Sequence, residues 1–91
     1  MEPYKVLEHL EALARKLSVE VVYQKLGTDE YPAGGGLCKV KGAYKVFLDR
    51  SEPIERRIHI LAGALSSFNR DEVYVLPYVR EILESVQRAT E

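Results

Sequence analysis

Cys38, His9 and His59 are the nucleophile and the bases that this chain can offer to chemistry. A reactive thiol needs a base beside it and a depressed pKa. Neither histidine is close to Cys38 in sequence, and Leu37 and Val40 around it read as a strand in which the thiol is a small hydrophobe. His59 follows Glu55 by one helical turn, a spacing at which a carboxylate can hold an imidazole. Two residues do not make a metal site, and His and Cys are too few for a common zinc cage. His9 stands among Glu8 and Glu11 and is expected in solvent. No catalytic residue, metal ligand or cofactor is therefore expected.

The run Gly34-Gly35-Gly36 invites a phosphate-loop reading. Phosphate loops lead into a helix N-terminus, whose free N–H groups and dipole bind the anion. These glycines lead into a strand, and the chain has no Gly-Lys-Ser/Thr and no GxGxxG. What remains is an anionic pocket framed by the 27–36 loop, Tyr31, Arg56, Arg57 and Arg80. Its candidate ligand-binding residues are Gly34, Gly35, Gly36, Arg57 and His59. Lys39, Lys41 and Lys45 offer a basic patch on two strands. Only Phe47 interleaves with them, so defence of an exposed edge is the expected role.

The elements that must position these groups follow from periodicity. Leu7, Leu10, Ala14 and Leu17, widened by Val6 and Leu13, predict a helix over 3–17, with Pro3 in its first turn and Arg15 and Lys16 in its last. Val19, Val21 and Tyr23 alternate with polar neighbours and predict a strand over 19–26. The 27–36 segment, with Pro32 and four glycines, is expected to be irregular. Leu37–Lys41 and Tyr44–Asp49 form a hairpin around Gly42. Its buried face is expected to carry Cys38, Val40, Tyr44, Val46 and Leu48, with the three lysines opposite.

Ser51 is placed to cap a core helix with Glu52 and Pro53 in its first turn and Ile54, Ile58, Leu61, Leu65 and Phe68 as its stripe. Asn69 is the expected left-handed stop, Val73–Leu76 a short strand, and Pro77 the start of a third helix with Val79, Ile82, Leu83 and Val86 inward. The expected fold is α+β, a small, mostly antiparallel sheet of three to four strands with three helices packed on it. Ile60, Gly63, Ala64, Ser66 and Ser67 give the core helix a face of small or apolar residues, with Ile60, Gly63 and Ser67 its candidate interface. Gly inside a helix costs about 1 kcal/mol relative to Ala. Close approach of another helix, or of a second copy, is the expected reason.

With 91 residues the chain suits one domain, 1–91, and 46% hydrophobic residues suffice for one core. Thirteen basic against 14 acidic residues leave a net charge of -1, so no overall field draws it to nucleic acid or an anionic membrane. A single cysteine rules out an internal disulfide, and Met1–Lys5 lack the basic start and apolar stretch of a signal peptide. A reduced, cytoplasmic protein is the expectation.

The run Lys45-Val46-Phe47-Leu48-Asp49, a short turn, and Glu55-Arg56-Arg57-Ile58-His59-Ile60-Leu61-Ala62-Gly63-Ala64-Leu65-Ser66-Ser67 resemble the core of zincin peptidases of the IrrE/ImmA type. There an edge strand precedes a helix reading Leu-Ala-His-Glu-Leu-Gly-His. The likeness covers about residues 44–68, with a similar helix–sheet order elsewhere. It implies that the family's two zinc histidines fall on Gly63 and Ser67 and its water-activating glutamate on Ala64. Glu81 or Glu84 would mimic the third ligand. Zinc catalysis needs ligands and a base, and the three matched positions supply neither. The resemblance thus implies an inactive, zincin-like domain with a vacated site lined by small residues.

The leading expectation is a non-catalytic binding or assembly module that self-associates as a homodimer or binds another protein. A binder of small anions and an inactive pseudo-peptidase domain are the alternatives. An enzyme using His59, Glu55 and Cys38 is the remaining one.

Overall fold

The computed structural model describes residues 2–24 and 36–89, with side chains through 87. In chain order the elements are α1 (Pro3–Lys16), β1 (Val19–Tyr23), β2 (Gly36–Val40), β3 (Ala43–Leu48), α2 (Ile54–Ser66) and α3 (Pro77–Ala89). The fold is α+β: three helices and a three-stranded sheet in the order β1-β3-β2. The sheet is mixed, because β1 runs parallel to β3 and β2 antiparallel to it.

α1 starts at Pro3, as its missing N–H allows, and ends over Arg15 and Lys16. Ser18 then takes a φ of 62°, a left-handed turn that swings the chain straight into β1. Val6, Leu7, Leu10, Leu13 and Ala14 form the buried stripe of α1. They meet Val19, Val46 and Leu48 of the sheet and Leu61, Ala62 and Leu65 of α2 in one core.

The hairpin forms around Lys41-Gly42, with φ of 51° and 83°, the two positive values of a type I′ turn. That two-residue loop sets Val40 opposite Ala43, Lys39 opposite Tyr44 and Leu37 opposite Val46. Facing residues share a side of the sheet. The helix side therefore carries Leu37, Lys39, Tyr44, Val46 and Leu48, and the outer side carries Cys38, Val40 and Lys45. The expected β2 faces are thus exchanged. Cys38 and Val40 are exposed, and the three lysines do not share a face. The reason is the turn: both Lys41 and Gly42 lie in the loop, which shifts β2 by one residue against the assumed alternation.

Three other expectations are corrected. Ser51 does not cap α2; its N–H and hydroxyl both donate to Asp49 Oδ1 (2.9 and 2.7 Å), and Pro53 occupies the N-cap. Asn69 is not a left-handed stop. Arg70 Nη1 donates to the carbonyls of Leu65, Ser66 and Phe68 and satisfies the end of α2 instead. Val73–Leu76 form no strand; Tyr74, Val75 and Leu76 lie along α1 beside His9, Leu13 and Lys16.

α3 begins at Pro77 as expected, and Val79 and Leu83 are buried. It rests on α2 and α1 rather than on the sheet, so two helices cover the sheet and the third covers them. Among the described residues no helix is long and apolar enough to cross a membrane.

Candidate functional site

Because β1 and β3 are parallel, both run out at the same end of the sheet. β2 starts there, and so does α2 after a short turn. In open α/β sheets ligands bind outside the carboxyl ends of the strands, and the matching end of this mixed sheet carries a cluster of polar side chains. The side chains at this end are Tyr23 and Gln24 from β1, Asp49, Arg50 and Ser51 after β3, and Arg57 from the first turn of α2.

Tyr23 is the organising residue. Period-two alternation points it to the helix side of β1, where its hydroxyl donates to the Glu11 carboxylate of α1. The guanidinium carbon of Arg50 lies 5.1 Å from the centroid of the Tyr23 ring, a cation–π arrangement. The Asp49–Ser51 hydrogen bonds fix the turn that presents Arg50. Half-buried Arg57 is tethered through Nε to the Glu52 carbonyl at 3.2 Å, a bond that uses one of its nitrogens.

The electrostatics agree with this packing. Burial, the hydrogen bond to Glu11 and the Glu11 charge push the Tyr23 phenol up to about 12, while Arg57 and Arg50 pull it back. Tyr23 is thus a neutral donor at ordinary pH. Tyr23, Gln24, Asp49, Arg50 and Ser51 line an open cleft of about 530 Å³.

A second cleft of about 630 Å³ lies where α2 ends beside α3, lined by Ser67, Arg70, Asp71, Arg80 and Glu84 among others. It is larger but chemically weaker. Arg70 is spent on helix carbonyls, and Asp71 and Glu84 line the cleft with Arg80, whereas the carboxylates of the sheet end, Asp49 and Glu11, accept from Ser51 and Tyr23. The sheet end is therefore the better candidate.

The expected site residues are scattered. Gly36 opens β2 at the sheet end with φ 130°, and Arg57 lies at that end too. Gly34 and Gly35, with the rest of the 27–35 segment, lie outside the described residues. His59 is exposed and sits two residues beyond Arg57, which places it on the far side of α2, with exposed Glu55 on its own side. Exposed Cys38 is on the outer sheet face, away from both histidines. Arg80 lines the other cleft. Among the described residues no group of three His, Cys, Asp or Glu is placed to hold a metal.

Gly63 of the small-residue face lies against α3 of the same chain; a Cβ there would meet Val86 Cγ1 at 3.6 Å. Ile60 packs on the core, while Ser67 is exposed and donates to the Ala64 carbonyl at 2.9 Å. Ser67 and Glu84 line one cleft.

Sequence reasoning missed Glu11, Tyr23, Gln24, Asp49, Arg50 and Ser51 as site residues. Glu11 follows Leu7 by one turn and so shares the inner side of α1, a signal present in the spacing. Nothing in the spacing marks Arg50 as a neighbour of Tyr23. Comparison with family models, with curated proteins and with solved structures finds no match.

Proposed function

We propose that this chain is a non-catalytic binding module that receives an anionic group at the shared end of β1 and β3. The observation that carries this reading is the pairing of Arg50 with the Tyr23 ring beside a tethered Arg57. Two cations are held in place before any ligand arrives, which lowers the ordering cost of binding. Arginine suits the task because its planar fork accepts two oxygens of a carboxylate or phosphate at once. The Tyr23 hydroxyl, already committed to Glu11, serves as structure rather than as an acid.

Titration of the labelled protein with inorganic phosphate, followed by amide and arginine Nε chemical shifts, tests the reading. Saturable shifts should appear at Tyr23, Gln24, Arg50, Ser51 and Arg57, and Arg50→Gln with Arg57→Gln should abolish them. Shifts that are linear in salt, or that survive the double substitution, contradict it.

Assembly with a second copy is favoured by a separate observation, the free edge of β2, and is independent of this site.

A further inference from the structure

β2 is an edge strand, and among the described residues no strand lies beyond it. A two-residue hairpin closes on a hydrogen-bonded pair, here Val40 and Ala43. Bonded and non-bonded pairs then alternate along an antiparallel ladder. Val40, Cys38 and Gly36 direct their N–H and C=O groups to β3, and Leu37 and Lys39 direct theirs to the open edge.

We infer that the β2 edges of two copies pair antiparallel about a two-fold axis at Cys38, joining the two sheets into one of six strands. On this axis Leu37 of each copy faces Lys39 of the other, and the two residues exchange both backbone hydrogen bonds, four in all. No like charges face each other. Gly36 faces Val40 of the second copy, and Cys38 faces its own counterpart.

Two observations favour a second copy as the occupant. Of the six large hydrophobic residues exposed among those described, Leu37 (37%), Val40 (39%) and Tyr44 (37%) belong to this hairpin. The lysine of this edge, exposed Lys39, leans over the next strand with Nζ 5.3 Å from the centroid of the Tyr44 ring and does not project beyond the edge as a guard. In the inferred register each residue of one copy faces its own complement in the other, so the contact closes as a dimer.

Cys38 reports on the register. It would occupy the non-bonded pair on the axis, where Cα atoms are about 4.5 Å apart, inside the range a disulfide spans. Diamide takes the two thiol hydrogens, is reduced to the hydrazine, and leaves the S–S bond.

The test is light scattering of the full chain in reductant, with Leu37→Lys and Leu37→Glu as a matched pair. Both replace an exposed side chain, and circular dichroism checks that each is folded. A dimer is expected. Leu37→Lys places a lysine opposite Lys39 of the second copy in two symmetric pairs and should raise the dimer Kd by roughly tenfold. Leu37→Glu places a carboxylate there and should leave the Kd unchanged or lower it. Diamide should convert the wild-type dimer to a covalent one. A monomer at about 1 mM protein overturns the inference. So does a dimer that both substitutions weaken, one that neither alters, or one that diamide does not cross-link. Phosphate shifts at the sheet end are read separately, so either proposal can fail without the other.

Discussion

The Tyr23 hydroxyl donates to the Glu11 carboxylate and ties the last residue of β1 to the middle of α1. The bond spans the left-handed turn at Ser18 and fixes how the strand leaves the helix. It also holds the ring on which Arg50 rests.

This bond makes a pH-dependent prediction. The Tyr23 phenol is raised from 10.0 to about 12 in the fold, so the folded state favours its protonated form. That contribution is fully present below pH 10 and is lost as pH rises towards 12. In an ultraviolet titration, one of the six tyrosines should ionise near pH 12. Tyr23→Phe should remove that late step and flatten the extra fall in stability between pH 10 and 12. A late step that persists in the variant assigns it elsewhere.

Gly63 makes a counterintuitive prediction. A helical glycine facing another helix suggests a need for close approach, but a Cβ there meets Val86 at an ordinary 3.6 Å. Gly63→Ala should therefore gain helix propensity without a clash and stabilise the protein by about 0.5–1 kcal/mol in urea unfolding. Gly63→Leu should destabilise it, because α3 already occupies the space.

Arg70 closes α2 by donating to three carbonyls from one nitrogen. Arg70→Ala leaves those acceptors to solvent and removes a cation from the negative end of the helix dipole. A loss of about 1–2 kcal/mol is expected in urea unfolding at unchanged m-value. Arg70→Lys should recover only part of it, since its ammonium sits one bond nearer the backbone and reaches the three carbonyls less well.

Lys41 sits at φ 51° in the first central position of a type I′ turn. Asparagine tolerates that region better than lysine does. Lys41→Asn should raise stability by roughly 0.5 kcal/mol, measured the same way.

The helices were legible because their apolar stripes are long. Leu7, Leu10 and Ala14 in α1, and Val79 and Leu83 in α3, repeat at helical spacing and are buried. The hairpin was legible from Gly42, but its faces were not. Alternation gives relative sides within a strand, and the turn decides which side faces inward. Counting Lys41 into the strand moved Cys38 to the wrong face. The parallel pairing of β1 with β3 leaves no local mark, because it joins Val19 to Tyr44 across a long stretch of chain. Arg50 was invisible for the same reason: its partner Tyr23 is set by that pairing. The stop of α2 was misread because an arginine beyond the helix can cap carbonyls as well as a left-handed asparagine can.

The β1–β3 ladder is also a seam in the order of folding. α1 and β1 are consecutive and are bound to each other through Tyr23 and Glu11; β2, β3 and α2 follow one another through short turns. Each set can gather by local contacts, whereas the ladder must wait for the intervening chain to close. Pulse-labelled hydrogen exchange should then protect the amides that pair within the hairpin, those of Cys38, Val40, Lys45 and Phe47, before those of β1. The protein would come together as two halves, with Val19–Tyr23 as the last row to engage.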